Sequence, residues 1–234
     1  MLTVTDVEFG YGSAPTVSGI SLQVAQGERV AIIGGNGAGK STVLKLIAGL
    51  EQAWSGQICV DGAELPEHAH AIARRGVRMA PQGHPVFNSL TIHEHLLLGL
   101  DLRGTDVRTQ VSVDEAYGMF PRLAERAQTL ASSLSGGERA FLGLAQVLVA
   151  GCSILLLDEP SAGLAPAAMK ELFALLYRIG AETGVTMLIV EQNATAAMEI
   201  CDRIYVMSEG RIVASGTPTE LSASDDIVAA YLSF

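Results

Sequence analysis

The chain has 234 residues, 49% of them hydrophobic, which is enough to bury a sizeable core in one large domain or a domain with a subdomain. No stretch approaches the ~18–20 consecutive apolar residues of a membrane span, and residues 1–6 lack the basic and apolar pattern of a signal peptide, so a cytoplasmic protein is expected. A formal charge of −10 argues against nucleic acid as partner, and three separated cysteines with no CxxC pair read as buried, reduced thiols.

Residues 2–9 and 20–24 alternate apolar and polar and read as strands with one buried face. The turn-rich piece between them carries Tyr11, which either stacks on an adenine face or packs on its own loop. Residues 28–33 end in an apolar run, and 42–48 have apolar residues at helical spacing with Gly49 at the end. Between them lies Gly34-Gly35-Asn36-Gly37-Ala38-Gly39-Lys40-Ser41, the P-loop spacing of Gly, four residues, Gly-Lys-Ser. Strand, glycine loop and helix build an anion site. The glycines let successive N–H groups turn inward, and the helix N-terminus adds a positive field. This stretch, with Thr42, is the predicted nucleotide site. Lys40 would reach the β- and γ-phosphates of ATP, and the Ser41 hydroxyl would ligate Mg²⁺.

Residues 58–62 read as strand and turn, 66–75 as a short helix and 77–80 as a strand. Gln82, just beyond that strand, is either a loop amide or a ligand of Mg²⁺ that orients water. From about 84 to 133 short helical patterns, over 113–120 and 122–130 among others, are broken by glycine, proline and charge. They predict a helical subdomain inserted into an α/β core. His93 and His95 have poor metal spacing and read as a solvated or partner-facing surface. Ser135-Gly136-Gly137-Glu138 opens a helix running to residue 150. Ser135 and Glu138 form a capping box, and capping alone would account for them. Residues 154–157 are a buried strand ending in Asp158 and Glu159. Two acids at such an edge are costly unless a cation sits there. Asp158 would hold Mg²⁺ and Glu159 would polarise the attacking water, the alternative being an exposed acid pair. Residues 186–190 are a further strand, followed by Glu191-Gln192-Asn193 and a helix to Cys201. Residues 204–207 and 211–214 read as a hairpin, and 225–232 as a last helix.

Together these residues resemble the nucleotide-binding subunit of an ATP-binding cassette (ABC) transporter over essentially the whole chain. In that family's terms, 34–41 is the Walker A loop, Gln82 the Q-loop, 134–138 the signature, 154–158 with Glu159 the Walker B strand, and Gln192 the switch position. The motifs Pro160-Ser161-Ala162-Gly163-Leu164-Ala165-Pro166 and Val190-Glu191-Gln192-Asn193-Ala194, with the ending Ala230-Tyr231-Leu232, are most similar to the ATPases of branched-chain amino-acid importers and their amide and urea relatives.

The resemblance implies a parallel central sheet, an N-terminal antiparallel β subdomain and the helical insertion, all within one nucleotide-binding domain. It also implies a head-to-tail homodimer or heterodimer with a second ABC ATPase, in which Ser135, Gly136, Gly137 and Glu138 of one subunit face the ATP held by 34–41 of the other. Permease subunits would anchor the ATPase to the cytoplasmic face of the inner membrane, and a periplasmic substrate-binding protein would act indirectly. Gly35 replaces a usual proline, Ala165 a usual aspartate, and Gln192 the usual switch histidine. Glutamine can donate to a γ-phosphate but cannot shuttle a proton. The alternative to a γ-phosphate sensor is that Gln192 merely caps the next helix. Lipid or lipopolysaccharide export, or a soluble role on ribosomes or in iron–sulfur assembly, are the competing functions.

Overall fold

The computed structural model describes residues 2–83, 85–104 and 107–224. The helix expected over 225–232 lies outside the described residues, as does His84.

Two sheets carry the fold. In the first, β1 (Leu2–Phe9), β2 (Val17–Val24), β4 (Ser55–Val60) and β5 (Ala63–Glu64) are ordered β2-β1-β4-β5 and all antiparallel. Its alternation is that of a half-buried sheet: Val17, Ile20, Leu22 and Val24 point inward from β2. The second sheet has the order β10-β9-β3-β8-β7-β6. Here β3 (Arg29–Ile33), β6 (Val77–Ala80), β7 (Ile154–Asp158), β8 (Thr186–Glu191) and β9 (Arg203–Ser208) run parallel. The hairpin partner β10 (Arg211–Gly216) is antiparallel. Every residue of β7 and β8 is buried, which explains their unbroken apolar runs. Successive residues feed opposite cores. Ala31, Leu155, Leu157 and Ile189 join the core under the long helices. Ile32, Ile154, Leu156 and Val190 join the core shared with the first sheet and α1 (Lys40–Ile47).

Helices α6 (Gly136–Val149), α7 (Pro166–Thr183) and α8 (Ala194–Ile200) contribute to the first of these cores. The sequence reading did not assign α7, although Leu172, Phe173, Leu175, Leu176 and Ile179 form its buried stripe. Between β6 and α6 lie α3 (Ile92–Asp101), α4 (Val113–Met119) and α5 (Pro121–Glu125), which share the core with α6 through Leu96, Ala116, Leu123, Phe141 and Leu144. The helix expected over 66–75 shortens to α2 (Ala69–Arg74). The one expected over 122–130 stops at Glu125. The carbonyls of Ala127 and Thr129 instead accept from the His93 and Ile92 N–H groups, so this stretch serves the open N-terminus of α3. The last described helix is α9 (Pro218–Ser222).

The surface reading of His95 is corrected. It is fully buried, its Nε2 accepts the Phe87 N–H at 2.9 Å, and its Nδ1 lies 2.8 Å from the Thr91 carbonyl. A neutral ring with both nitrogens satisfied belongs in a core. His93 is half-buried, with Nδ1 2.9 Å from the Tyr117 hydroxyl. Among the described residues no helix is long and apolar enough to cross a membrane.

Candidate functional site

The carboxyl ends of β3, β7 and β8 meet on one edge. Ile33 pairs with Glu191, and Asp158 with Val190, so the loops that follow these strands are neighbours. An edge of this kind in a parallel sheet is where ligands bind.

The glycine loop leaves β3 at Gly34 and enters α1 at Lys40. Its glycines answer to packing as well as to phosphate. A Cβ on Gly34 would lie 2.1 Å from the Met207 carbonyl oxygen, and Gly39 has φ 98 with Met207 and Val17 side-chain carbons 2.9 Å from a Cβ. The β9–β10 turn closes the clamp, since Gly210 N–H donates to the Ala38 carbonyl at 3.0 Å. No side chain caps α1 and no acid sits in its first turn, so the N–H groups of that turn have no side-chain acceptor.

Lys40 is 4% exposed. Its Nζ donates to the Gly34 and Gly35 carbonyls at 2.9 and 3.1 Å and lies 3.6 Å from Glu159 Oε1. Ser41 Oγ donates to Asp158 Oδ1 at 2.7 Å. Gln82 Nε2 donates to Glu159 Oε2 at 2.8 Å. Glu159 has φ 44, a left-handed backbone that costs an L-residue ~1–2 kcal/mol. Its N–H donates to the Val190 carbonyl at 2.9 Å.

Asn36, Gly37, Ala38, Gly39, Lys40, Ser41, Thr42, Gln82 and Glu159 thus line one cleft of about 280 Å³, together with Thr16, which sequence reasoning missed because it lies far upstream on the entry to β2. Asp158 is 4% exposed and touches this cleft through Ser41. The Ser41 hydroxyl, the Asp158 carboxylate and the Gln82 amide oxygen are hard oxygen donors of the kind Mg²⁺ takes alongside phosphates. Tyr11 does not line the cleft. It is exposed, packs edge-on against Phe9 with centroids 5.0 Å apart, and has Lys45 Nζ 5.8 Å from its ring centroid.

A second cleft, about 350 Å³, adjoins the first through Glu159 and is lined also by Ser161, Glu191 and Gln192. Gln192 is exposed there. The cap of α8 is Asn193, whose Oδ1 accepts the Ala196 N–H at 3.0 Å, so the capping alternative for Gln192 fails. Glu191 is 2% exposed and accepts from both the N–H and the hydroxyl of Ser161 at 3.0 Å. Burial pushes its carboxyl above the ordinary carboxylate range. Sequence reasoning passed over it, although an acid closing an otherwise apolar strand was the available signal.

Ser135, Gly136, Gly137 and Glu138 line neither cleft. Ser135 caps α6 in a full capping box, with Glu138 Oε2 accepting the Ser135 N–H at 2.8 Å, and Glu138 also pairs with Arg126. Within one chain this turn does not meet the glycine loop's cleft.

Comparison with known proteins places this arrangement. The family model for ABC transporters matches residues 17–162. The chain is 40% identical over 233 residues to the high-affinity branched-chain amino acid transport ATP-binding protein BraG of Pseudomonas aeruginosa, covering 99% of each. It is 32% identical to the lipopolysaccharide export system ATP-binding protein LptB of Haemophilus influenzae, covering 99% of this chain and 97% of that one. Among solved structures, cbiO1 from Clostridium perfringens, part of the ABC transporter complex cbiONQ, superposes with a TM-score of 0.81 at 27% identity, covering 97% of this chain and 92% of that one. A glycine loop at the end of β3, an acid pair at the end of β7 on the same sheet edge and these likenesses lead to one conclusion: the chain belongs to the ABC transporter family and is one of its ATP-hydrolysing proteins.

Proposed function

We propose that this chain is the ATPase subunit of an importer for branched-chain or other hydrophobic amino acids. It would couple ATP + H₂O → ADP + phosphate to movement of substrate through permease subunits. The observation that carries the amino-acid assignment is the 40% identity to BraG over 99% of both chains. The site geometry supports the chemistry. Lys40, already turned onto the carbonyls of Gly34 and Gly35, is positioned to exchange them for β- and γ-phosphate oxygens. Ser41, Asp158 and Gln82 would hold Mg²⁺, which when bound neutralises charge on the phosphates. Glu159, between Gln82 and Lys40, is the general base for the attacking water. Gln192, exposed beside Glu159, senses the γ-phosphate through its amide N–H.

The turn formed by Ser135, Gly136, Gly137 and Glu138 would act in trans, which fits its distance from the glycine loop's own cleft. The working unit is therefore a dimer with a like ATPase. The whole chain serves as one nucleotide-binding domain, with residues 84–133 as the helical part that meets the permeases at the cytoplasmic face of the membrane. A periplasmic substrate-binding protein would deliver the substrate.

The second reading, lipopolysaccharide export, is favoured by the 32% identity to LptB. Deletion of the gene, followed by complementation with wild-type or Lys40→Ala protein, separates the two. Loss of leucine uptake, restored only by the wild type, is expected. Normal uptake with defective lipopolysaccharide assembly would overturn the import assignment in favour of export.

A further inference from the structure

We propose that Glu191 is a positioning residue that ties Gln192 to the loop carrying Glu159, so that the two residues facing the γ-phosphate are held as one unit. The proposal rests on the reading of Glu159 and Gln192 given above.

Residues 186–190 make β8 a buried and mostly apolar strand, and an apolar residue at 191 would complete it without cost. A carboxylate there is expensive unless it is fully hydrogen-bonded. Glu191 meets that condition by reaching sideways. One oxygen accepts the Ser161 N–H and the other the Ser161 hydroxyl, each at 3.0 Å. Ser161 lies two residues after Glu159, in a loop tightened by Ala162 N–H on the Glu159 carbonyl at 3.0 Å.

The two loops are therefore joined at two points, Glu159 N–H to Val190 carbonyl and Ser161 to Glu191. Between those points sits the left-handed backbone of Glu159. A strained residue persists only where its surroundings over-determine it. The Ser161–Glu191 bonds supply that constraint on the side away from the strand. They also fix the backbone on which Gln192 stands. Without them Glu159 relaxes and Gln192 loses its fixed relation to it.

Steady-state hydrolysis and the ATP and ADP affinities of the full chain test this with Glu191→Leu, which removes both acceptors, Ser161→Ala, the double variant and Ser161→Thr. Each of the first two should lower kcat about tenfold, ~1.4 kcal/mol in the barrier. The preference for ATP over ADP should weaken severalfold, because Gln192 is released, and the melting temperature of Ser161→Ala should fall by a few degrees, because the buried Glu191 oxygen loses its donor. The double variant should be no slower than either single one, because both break the same joint. Ser161→Thr, which keeps the hydroxyl, should retain the rate. Wild-type kcat in Ser161→Ala, or losses that multiply in the double variant, overturns the proposal. If Glu191→Leu does not fold, the Ser161 pair decides alone. Glu159→Gln run alongside keeps the two readings apart. A slow Glu159→Gln with fast Ser161→Ala refutes only the positioning role, whereas a fast Glu159→Gln refutes the base assignment itself.

Discussion

Replacing Glu159 by glutamine should slow turnover and tighten ATP binding at the same time, and the structure explains the second effect as well as the first. Loss of a general base costs ~10²-fold or more in kcat, at least ~2.7 kcal/mol of barrier. In the ground state Glu159 does a different thing: its Oε1 lies 3.6 Å from Lys40 Nζ, with side-chain exposures of 15% and 4%. Two unit charges at that separation attract by roughly 4–5 kcal/mol at an effective dielectric of about 20. ATP must draw Lys40 out of this pairing and bring its own negative phosphates toward the same carboxylate. The amide keeps the shape but removes both the competitor and the repulsion. Much of the attraction is recovered when Lys40 meets phosphate, so the net gain is smaller, about tenfold in Kd, ~1.4 kcal/mol. Calorimetry gives Kd, single-turnover kinetics gives the chemical step, and gel filtration should show ATP-bound dimers that persist. A variant that binds ATP more weakly than wild type, or turns over at a near-normal rate, refutes the reasoning.

Three further outcomes are expected. Gln192→Ala should weaken discrimination of ATP over ADP about tenfold or more, the value of a hydrogen bond to a charged oxygen (~1.5–3 kcal/mol), while leaving the melting temperature alone because Asn193 holds the α8 cap; Gln192→His should restore the ratio, and an unchanged ratio in the alanine variant rejects the sensor role. Ala165 sits exposed at the N-cap of α7, with extended backbone, no side-chain cap and Pro166 following, so Ala165→Asp should add about 1 kcal/mol and raise the melting temperature by ~2–4 °C; a flat or lowered melt contradicts the empty-cap argument. Burial pushes the thiols of Cys152 and Cys201 up to about 12, so native protein at neutral pH should take one maleimide, at half-buried Cys59, and unfolded protein three; rapid labelling of Cys152 in the native state would show that its packing is wrong.

The parts of the site that were legible in the sequence are those that are local in the chain. The glycine loop is eight consecutive residues whose spacing is itself the geometry, and Asp158-Glu159 follows directly on the apolar run that buries β7. What depended on tertiary register was not legible. The Ser161–Glu191 joint spans 30 positions and exists only because β7 and β8 are neighbours. His95 lies on the buried stripe of α3, and only the return of the chain at Phe87 supplies the N–H that makes a core position tolerable for it. Helix α7 begins at Pro166 behind an alanine N-cap, so the capping box that marked α6 was missing there and only the proline signalled a start. The unwinding after Glu125 reflects hydrogen bonds to α3 that outweigh local helical preference.

The clamp between the glycine loop and the β9–β10 turn has a kinetic consequence. With Gly34 against the Met207 carbonyl and Ala38 bonded to Gly210, the loop is anchored at both ends when its ligand leaves, and only residues 35–37 between them face open space. Emptying and refilling therefore proceed on a loop whose two ends stay fixed, and no slow ordering step is expected between encounter and capture. Association of ATP should stay linear in concentration up to the mixing limit of a stopped-flow instrument, with exchange governed by how fast ADP departs. On the proposed importer reading, any throttle on the cycle then lies in the approach of a second subunit and not in the glycine loop.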